Sequence, residues 1–501
     1  MLKTQPDIEQ PRTPTFELRE VGTVKSVREL IVRVTGLPSC LNGQMVEFAN
    51  GAHGMVMGFS EHEVQVLVFG GKGRIRAGDE VYNRGEEFHV PVGDAFLGRV
   101  VNSLGEPMDG RGPITSTERY PVFGEAPGVM ERVPVNQTME TGTRILDAVI
   151  PIAKGQRQLI IGDRMTGKTT LAIDAILNQQ DKGTVCIYCC TGKSYSSLVK
   201  FASLIEARGA MANTMIVSAP ASTPVGEQFL SPYTAATLGE FFMRNGRDVL
   251  VVFDDLTKHA WIYRQLSLLL ERAPGREAYP GDIFYIHSQL LERAGYLDKT
   301  LGGGSMTFLP ICDILQGDLT GFVPSNLVSM TDGQIYLSTT LFNKGIKPAI
   351  DFGLSVSRIG SKAQWPAMKE LSGKLRLEYV QYQELLQMTQ LRTNLSGEAE
   401  ARLKRGEAIT GLLVQNKHEP VAVEDQILQL YALRRGVLDE LSSVQMKRFK
   451  QEFGGVVRQA APQLIEELRR SKTLSAQMKR SVDECLQRFL QQLMGEGARG
   501  A

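Results

Sequence analysis

One nine-residue stretch constrains the chain more than any other. Gly162-Asp163-Arg164-Met165-Thr166-Gly167-Lys168-Thr169-Thr170 sets two glycines four residues apart and follows the second with Lys and Thr. This is the phosphate-loop spacing. Glycine lets successive backbone N–H groups close around a phosphate with no side chain in the way. Lys168 brings charge to the outer phosphates, and Thr169 offers a hydroxyl to Mg²⁺. Residues 158–161 form a short apolar run that reads as a buried strand, and 171–179 carry helical apolar spacing. The helix N-terminus then points at the ligand. Gly162, Asp163, Arg164, Met165, Thr166, Gly167, Lys168, Thr169 and Thr170 are therefore the nucleotide-binding candidates.

The rest of the chain divides around this loop. Residues 1–20 read as a polar arm. Over 21–92, short β-like runs recur about every ten residues between turn signals, as in a small barrel. Over 93–364, strands expected at 185–190, 215–218 and 249–253 alternate with helices expected at 196–207 and 233–244, which implies a mostly parallel sheet covered by helices. A short helix is expected at 141–150. From 365 to 501 the pattern is helical throughout, with segments at 378–391, 398–415, 423–441, 444–452, 456–468 and 474–493. The fold class is multidomain α/β: an N-terminal β-barrel, a central phosphate-loop domain and a C-terminal helical bundle.

Composition narrows the function. The 501 residues carry a formal net charge of +1, which argues against a generally basic nucleic-acid binder. The barrel's few aromatics are not interleaved with basic residues, so it reads as an assembly scaffold. No run approaches the length of a membrane span, and residues 1–16 lack the apolar centre of a secretory signal. Of six cysteines, Cys186, Cys189 and Cys190 share one expected strand. They read as small core hydrophobes.

A phosphate loop needs an acid to hold its metal. The apolar run 249–253 ends in Asp254-Asp255. Asp254, with Thr169, is the expected Mg²⁺ pair, and Asp255 reads as the cap of the next helix. Hydrolysis also needs a carboxylate to orient water. Where the first strand after the loop helix ends, Gly192 is followed by Lys193, and an ammonium cannot take a proton from water.

Several blocks resemble the alpha subunit of the F-type rotary ATP synthase: 162–169, 253–258, 273–288, 302–305, 330–335 and 353–360. The resemblance runs in unbroken order from about residue 22 to the C-terminus, and the Gly-Asp-Arg opening of the loop favours alpha over beta subunits. It implies a three-part protomer that binds ATP or ADP with Mg²⁺ without turning it over. It also implies alternation with catalytic beta subunits around a gamma shaft, contact with peripheral stalk subunits, and a location on the cytoplasmic face of the membrane held only through the assembly. No nucleic-acid partner is expected. The family's arginine finger falls on Arg358, with Ser355 and Ser357 positioning it; Arg358 and Ser355 are the catalytic candidates. Gln415 falls on the adenine side.

The sequence also departs from the family pattern. Met165 replaces Gln in the loop, Lys193 stands where alpha subunits usually carry Gln, Lys417 replaces the second adenine-side Gln, and Lys347-Pro348 replaces Arg-Pro. The arm is shorter than usual, so its docking to the stalk is expected to differ. The competing reading is a self-sufficient homohexameric motor of the export or RNA-translocase type, which would need the carboxylate that Lys193 displaces.

Overall fold

The computed structural model describes residues 20–70, 74–389 and 397–497. The arm expected at 1–20 lies outside them except for Glu20. The protein separates into two compact units, the first ending at Phe88 and the second beginning at His89.

The first unit is a closed six-stranded barrel. Its strands are β1 (Glu20–Arg28), β2 (Ile31–Thr35), β3 (Gln44–Phe48), β4 (His53–Phe59), β5 (Val64–Phe69) and β6 (Glu80–Glu87). They close in the order β1-β2-β5-β4-β3-β6. Val32, Val34, Val46, Val56, Val66 and Val81 are fully buried inside. β-branched side chains suit a pleated wall, and closure leaves no free strand edge.

In the second unit, β7 (His89–Val92) pairs with β9 (Glu118–Pro121), and β10 (Thr138–Met139) pairs with β11 (Ile152–Ala153). The remaining strands build one large sheet. They are β8 (Val100–Val101), β12 (Leu159–Asp163), β13 (Val185–Thr191), β14 (Thr214–Ala219), β15 (Asp248–Asp254), β16 (Gly295–Tyr296), β17 (Ser305–Ile314), β18 (Gly333–Leu337) and β19 (Val356–Ser357). The order is β19-β18-β12-β17-β15-β13-β14-β8, with β16 also on β17. All pairs from β18 to β8 are parallel. Every residue of β13 and β14 is buried, as expected of strands covered on both faces. Ile160 lies in register with Ile311 on one side and Ile335 on the other.

Between these strands run the helices α1 (Arg144–Val149), α2 (Lys168–Leu177), α3 (Tyr195–Ala207), α4 (Val225–Arg244) and α5 (Leu256–Leu269). The sequence placed the start of α4 after Pro232, but the helix begins eight residues earlier and runs through the proline. Proline removes the N–H that Gln228 O would have accepted; the Ser231 hydroxyl donates to that carbonyl instead, at 3.0 Å.

Two C-terminal expectations are corrected. The segments 444–452 and 456–468 are instead one helix, Ser443–Ala460, followed by another, Pro462–Ser471. Gly454 and Gly455 do not break it. A Cβ on Gly454 would come within 2.3 Å of Asp425 Oδ1, so the glycine there serves close packing. The helix expected over 423–441 stops at Arg434, just before Gly436, whose φ is +76°, a usual way for a helix to end.

All six cysteines are buried and unpaired.

Candidate functional site

The carboxyl ends of β12, β13, β15, β17 and β18 converge, the usual ligand face of an open parallel sheet. The loop 164–167 leaves β12 and turns into α2 through Gly167 at φ +101°, a left-handed conformation that favours glycine. Met165 also has positive φ (+64°) and is 91% exposed, so its side chain makes no part of the cradle. Gly162 is needed for packing: a Cβ would lie 2.6 Å from Leu337 O on β18. Asp163 tethers the loop from both carboxylate oxygens, accepting from Gly317 N at 3.0 Å and from the Thr339 hydroxyl at 2.7 Å. Buried Thr166 donates to Asp163 O at 2.8 Å. Thr170 is half-buried in the first turn of α2. Exposed Arg164 lies 5.8 Å over the Trp261 ring and 3.6 Å from Asp313.

Lys168 is buried and curls back over the loop. Its Nζ donates to Gly162 O at 2.8 Å and Asp163 O at 2.5 Å, and pairs with Asp313 Oδ1 at 2.9 Å. The N–H groups of Lys168, Thr169 and Thr170 begin α2 and have no intrahelical acceptor. Together with the ammonium they suit an anion of phosphate type, so the loop fits a nucleotide polyphosphate. Asp313 was missed at the sequence level, although it stands near the end of the apolar β17 just as Asp254 ends β15.

The expected metal pair is assembled, but it already holds a cation. Thr169 Oγ1 donates to Asp254 Oδ2 at 2.7 Å. The Lys193 ammonium pairs with the same oxygen and contacts Thr169 Oγ1 at 3.1 Å. Tyr188, inside β13, donates its hydroxyl to that oxygen as well, at 2.7 Å. Asp254 is only 2% exposed. Burial alone would lower the Lys193 pKa; the charge of Asp254 and its hydrogen bond outweigh burial and raise it. Burial, and then the Asp254 charge, push the Tyr188 phenol well up. With the ammonium in place, a divalent ion does not fit between Thr169 and Asp254. Asp255 caps α5, accepting from Lys258 N at 2.8 Å; burial raises its pKa to about 6.

Family models cover the barrel, the core and the helical region. The beta-barrel domain of the ATP synthase alpha/beta family matches residues 17–85, and the family's nucleotide-binding domain matches 142–357. The C-terminal domain of the ATP synthase alpha/beta chain matches 364–489. The protein belongs to the ATP synthase alpha/beta family. It is thus a nucleotide-binding subunit of the rotary ATP synthase and ATPase type, which binds ATP or ADP and works alongside other subunits.

Arg358 lies one residue beyond the matched nucleotide-binding domain. It follows β19, the edge strand of the sheet, and is exposed. The expected positioning residues surround it. Ser355 is fully buried; its hydroxyl accepts from Tyr336 N at 2.9 Å and its carbonyl accepts from Arg376 at 3.0 Å. Ser355 therefore holds the segment and cannot itself reach a substrate. Ser357 donates to Pro151 O at 2.7 Å and accepts from Gly360 N at 3.2 Å.

Gln415, expected on the adenine side, is turned inward in this ATP synthase family member. Both hydrogens of its amide are used, by Gly142 O and Glu419 O, each at 2.8 Å. Its Oε1 accepts from Arg144 N at 3.1 Å. In this arrangement Gln415 ties the C-terminal helices to α1 and has no N–H left for a base.

Proposed function

We propose that this protein is the non-catalytic, alpha-type subunit of a rotary ATP synthase or ATPase. It binds nucleotide in its own site, alternates with catalytic beta subunits around a gamma shaft, and lends Arg358 to their sites. It is held at the cytoplasmic face of the membrane through the assembly, which couples ATP synthesis or hydrolysis to proton or sodium transport.

The observation that carries this reading is Lys193. It follows the end of β13, where a hydrolytic site needs a water-orienting carboxylate, and its ammonium is bound to Asp254. A cation without a free lone pair cannot serve as a general base. ATP bound here supplies the phosphoanhydride; the protein's own residues hold it through the α2 N-terminus and Lys168 and leave its hydrolysis unassisted. Arg358 supports the second half of the proposal. A guanidinium that projects from a fixed backbone can stabilise charge on a phosphoryl group held by a neighbouring subunit.

The test is ATP hydrolysis by the purified protein. Binding without turnover is the expected result. Turnover by the protein alone would overturn the non-catalytic assignment in favour of a self-sufficient hexameric motor.

A further inference from the structure

We propose that the Lys193 ammonium is the resident cation of this nucleotide site, so that a nucleoside triphosphate binds here without a divalent metal. This rests on the reading of the phosphate loop as a nucleotide site.

Three features support it. First, Asp254 Oδ2 already receives Thr169, Tyr188 and Lys193. An oxygen with three donors has no lone pair to offer a metal or a metal-bound water, which leaves only Oδ1 of this buried carboxylate to meet one. Second, the ammonium touches both members of the expected metal pair, lying against Thr169 Oγ1 and Asp254 Oδ2. It occupies the place a divalent ion would need. Third, Asp254 and Lys193 are both largely buried, with side-chain exposures of 2% and 18%. A metal entering beside the lysine would bring like charges together in a poorly solvated site, and a metal expelling it would strand an ammonium that is otherwise paired.

Lys193 can also do part of the metal's electrostatic task. Lys168, Lys193 and the free N–H groups at the start of α2 converge on the loop, with exposed Arg164 beside it. Opposing them are Asp254 and Asp313, each already paired with one of the lysines. Phosphate oxygens can replace Asp313 at Lys168, and Lys193 remains to meet a further oxygen. A strongly hydrated ammonium with three donors is a workable phosphate ligand. What it cannot do is impose the octahedral order of Mg²⁺ on phosphates and water. That suits a site which retains nucleotide without cleaving it.

The experiment uses the full-length protein. ATP binding is measured by titration calorimetry in excess Mg²⁺ and in excess EDTA, for wild type, Lys193→Gln and Lys193→Arg. Mn²⁺ retention in the ATP complex is followed in parallel by electron paramagnetic resonance. Wild type and Lys193→Arg are expected to change Kd by less than ~3-fold between the two conditions, and Lys193→Gln by more than ~10-fold. Mn²⁺ should stay free with wild type and be retained, one per nucleotide, by Lys193→Gln. The wild-type arm decides even where a variant fails to fold. Loss of wild-type binding in EDTA, or retention of Mn²⁺ by the wild-type complex, would overturn the Lys193 inference and leave the nucleotide site standing. No ATP binding by wild type in either condition would overturn both.

Discussion

The backbone N–H of Arg358 donates to the Asp332 carbonyl at 3.0 Å, while its guanidinium has no hydrogen-bond or ion-pair partner among the described residues. Asp332 is in turn fixed by Arg157, whose N, Nε and Nη2 all donate to its carboxylate between 3.0 and 3.2 Å. The base of the arginine is therefore rigid and its tip is free. On the proposed alpha-type reading, Arg358→Ala should lower kcat of the complex with catalytic subunits by about 10³-fold or more. The isolated protein's stability should change by less than about 0.5 kcal/mol, as for an exposed side chain without partners. Steady-state hydrolysis and thermal unfolding check the two halves. Arg358→Lys should not restore the rate, because a point charge lacks the planar fork.

Gly360 stabilises the same segment by having no side chain. A Cβ there would fall 1.6 Å from Pro151 O, and the carbonyl it strikes is the one that accepts from Ser357. Gly360→Ala should destabilise the protein by about 1–3 kcal/mol. It should also lower the activity of the assembled complex while ATP binding by the isolated subunit is retained, which calorimetry distinguishes.

Arg293 is fully buried and pairs with Glu240 at 2.6 Å, while its Nη1 and Nη2 donate to Val122 O and the Thr237 hydroxyl at 2.7 and 2.8 Å. Removing one partner leaves the other charged and dry. Glu240→Ala should cost about 3–5 kcal/mol in denaturant unfolding. A double replacement of Glu240 and Arg293 by apolar residues should cost clearly less than Glu240→Ala alone.

His259 and His287 form a buried pair, with Nδ1 of one 3.2 Å from Nε2 of the other. The Phe229 carbonyl, 3.0 Å from His259 Nε2, can only accept. The proton of His259 is thus on Nε2, and His287 donates to His259 Nδ1. Burial lowers the His259 pKa to about 4; burial, and then the neighbouring His259, lower that of His287 to about 3. Both rings are neutral in the folded protein, whereas the unfolded state protonates them below about pH 6.5. Their stabilising contribution is complete above that pH and is lost as pH falls towards 4, each ring adding at most ~1.4 kcal/mol per pH unit. Asp174 and Asp255, raised by burial to about 7 and about 6, act in the opposite direction over the same range. The quantity to measure is therefore the difference between wild type and His287→Gln. The stability of the variant should fall less steeply between pH 6.5 and 4.

How well each part could be read from sequence depended on the range of its contacts. The phosphate loop, β15 and the apolar strands were legible because spacing and burial are local properties. The continuous helix across Gly454 was not, since that glycine answers to Asp425 on another helix. The same applies to α4, where Pro232 is a helix breaker until Ser231 satisfies the freed carbonyl. At the site, the chemistry of Lys193 could be read from its charge, but its target could not. Only the parallel register of β13 with β15, which sets Cys190 beside Asp254, brings the ammonium and Tyr188 onto one carboxylate oxygen. Gln415 shows the reverse: its position was legible, and its engagement by Gly142, Glu419 and Arg144 was not.

The six buried thiols give this protein a reagent-proof background. Burial pushes the thiols of Cys40 and Cys190 to about 11 and those of Cys189 and Cys312 to about 12, and raises Cys186 and Cys485 as well. Thiolate is the reactive form, so maleimides and disulfide reagents meet almost none in the native protein. A single cysteine introduced at an exposed position such as Val129 or Leu315 would take up label alone, giving a spectroscopic handle without prior removal of the native cysteines.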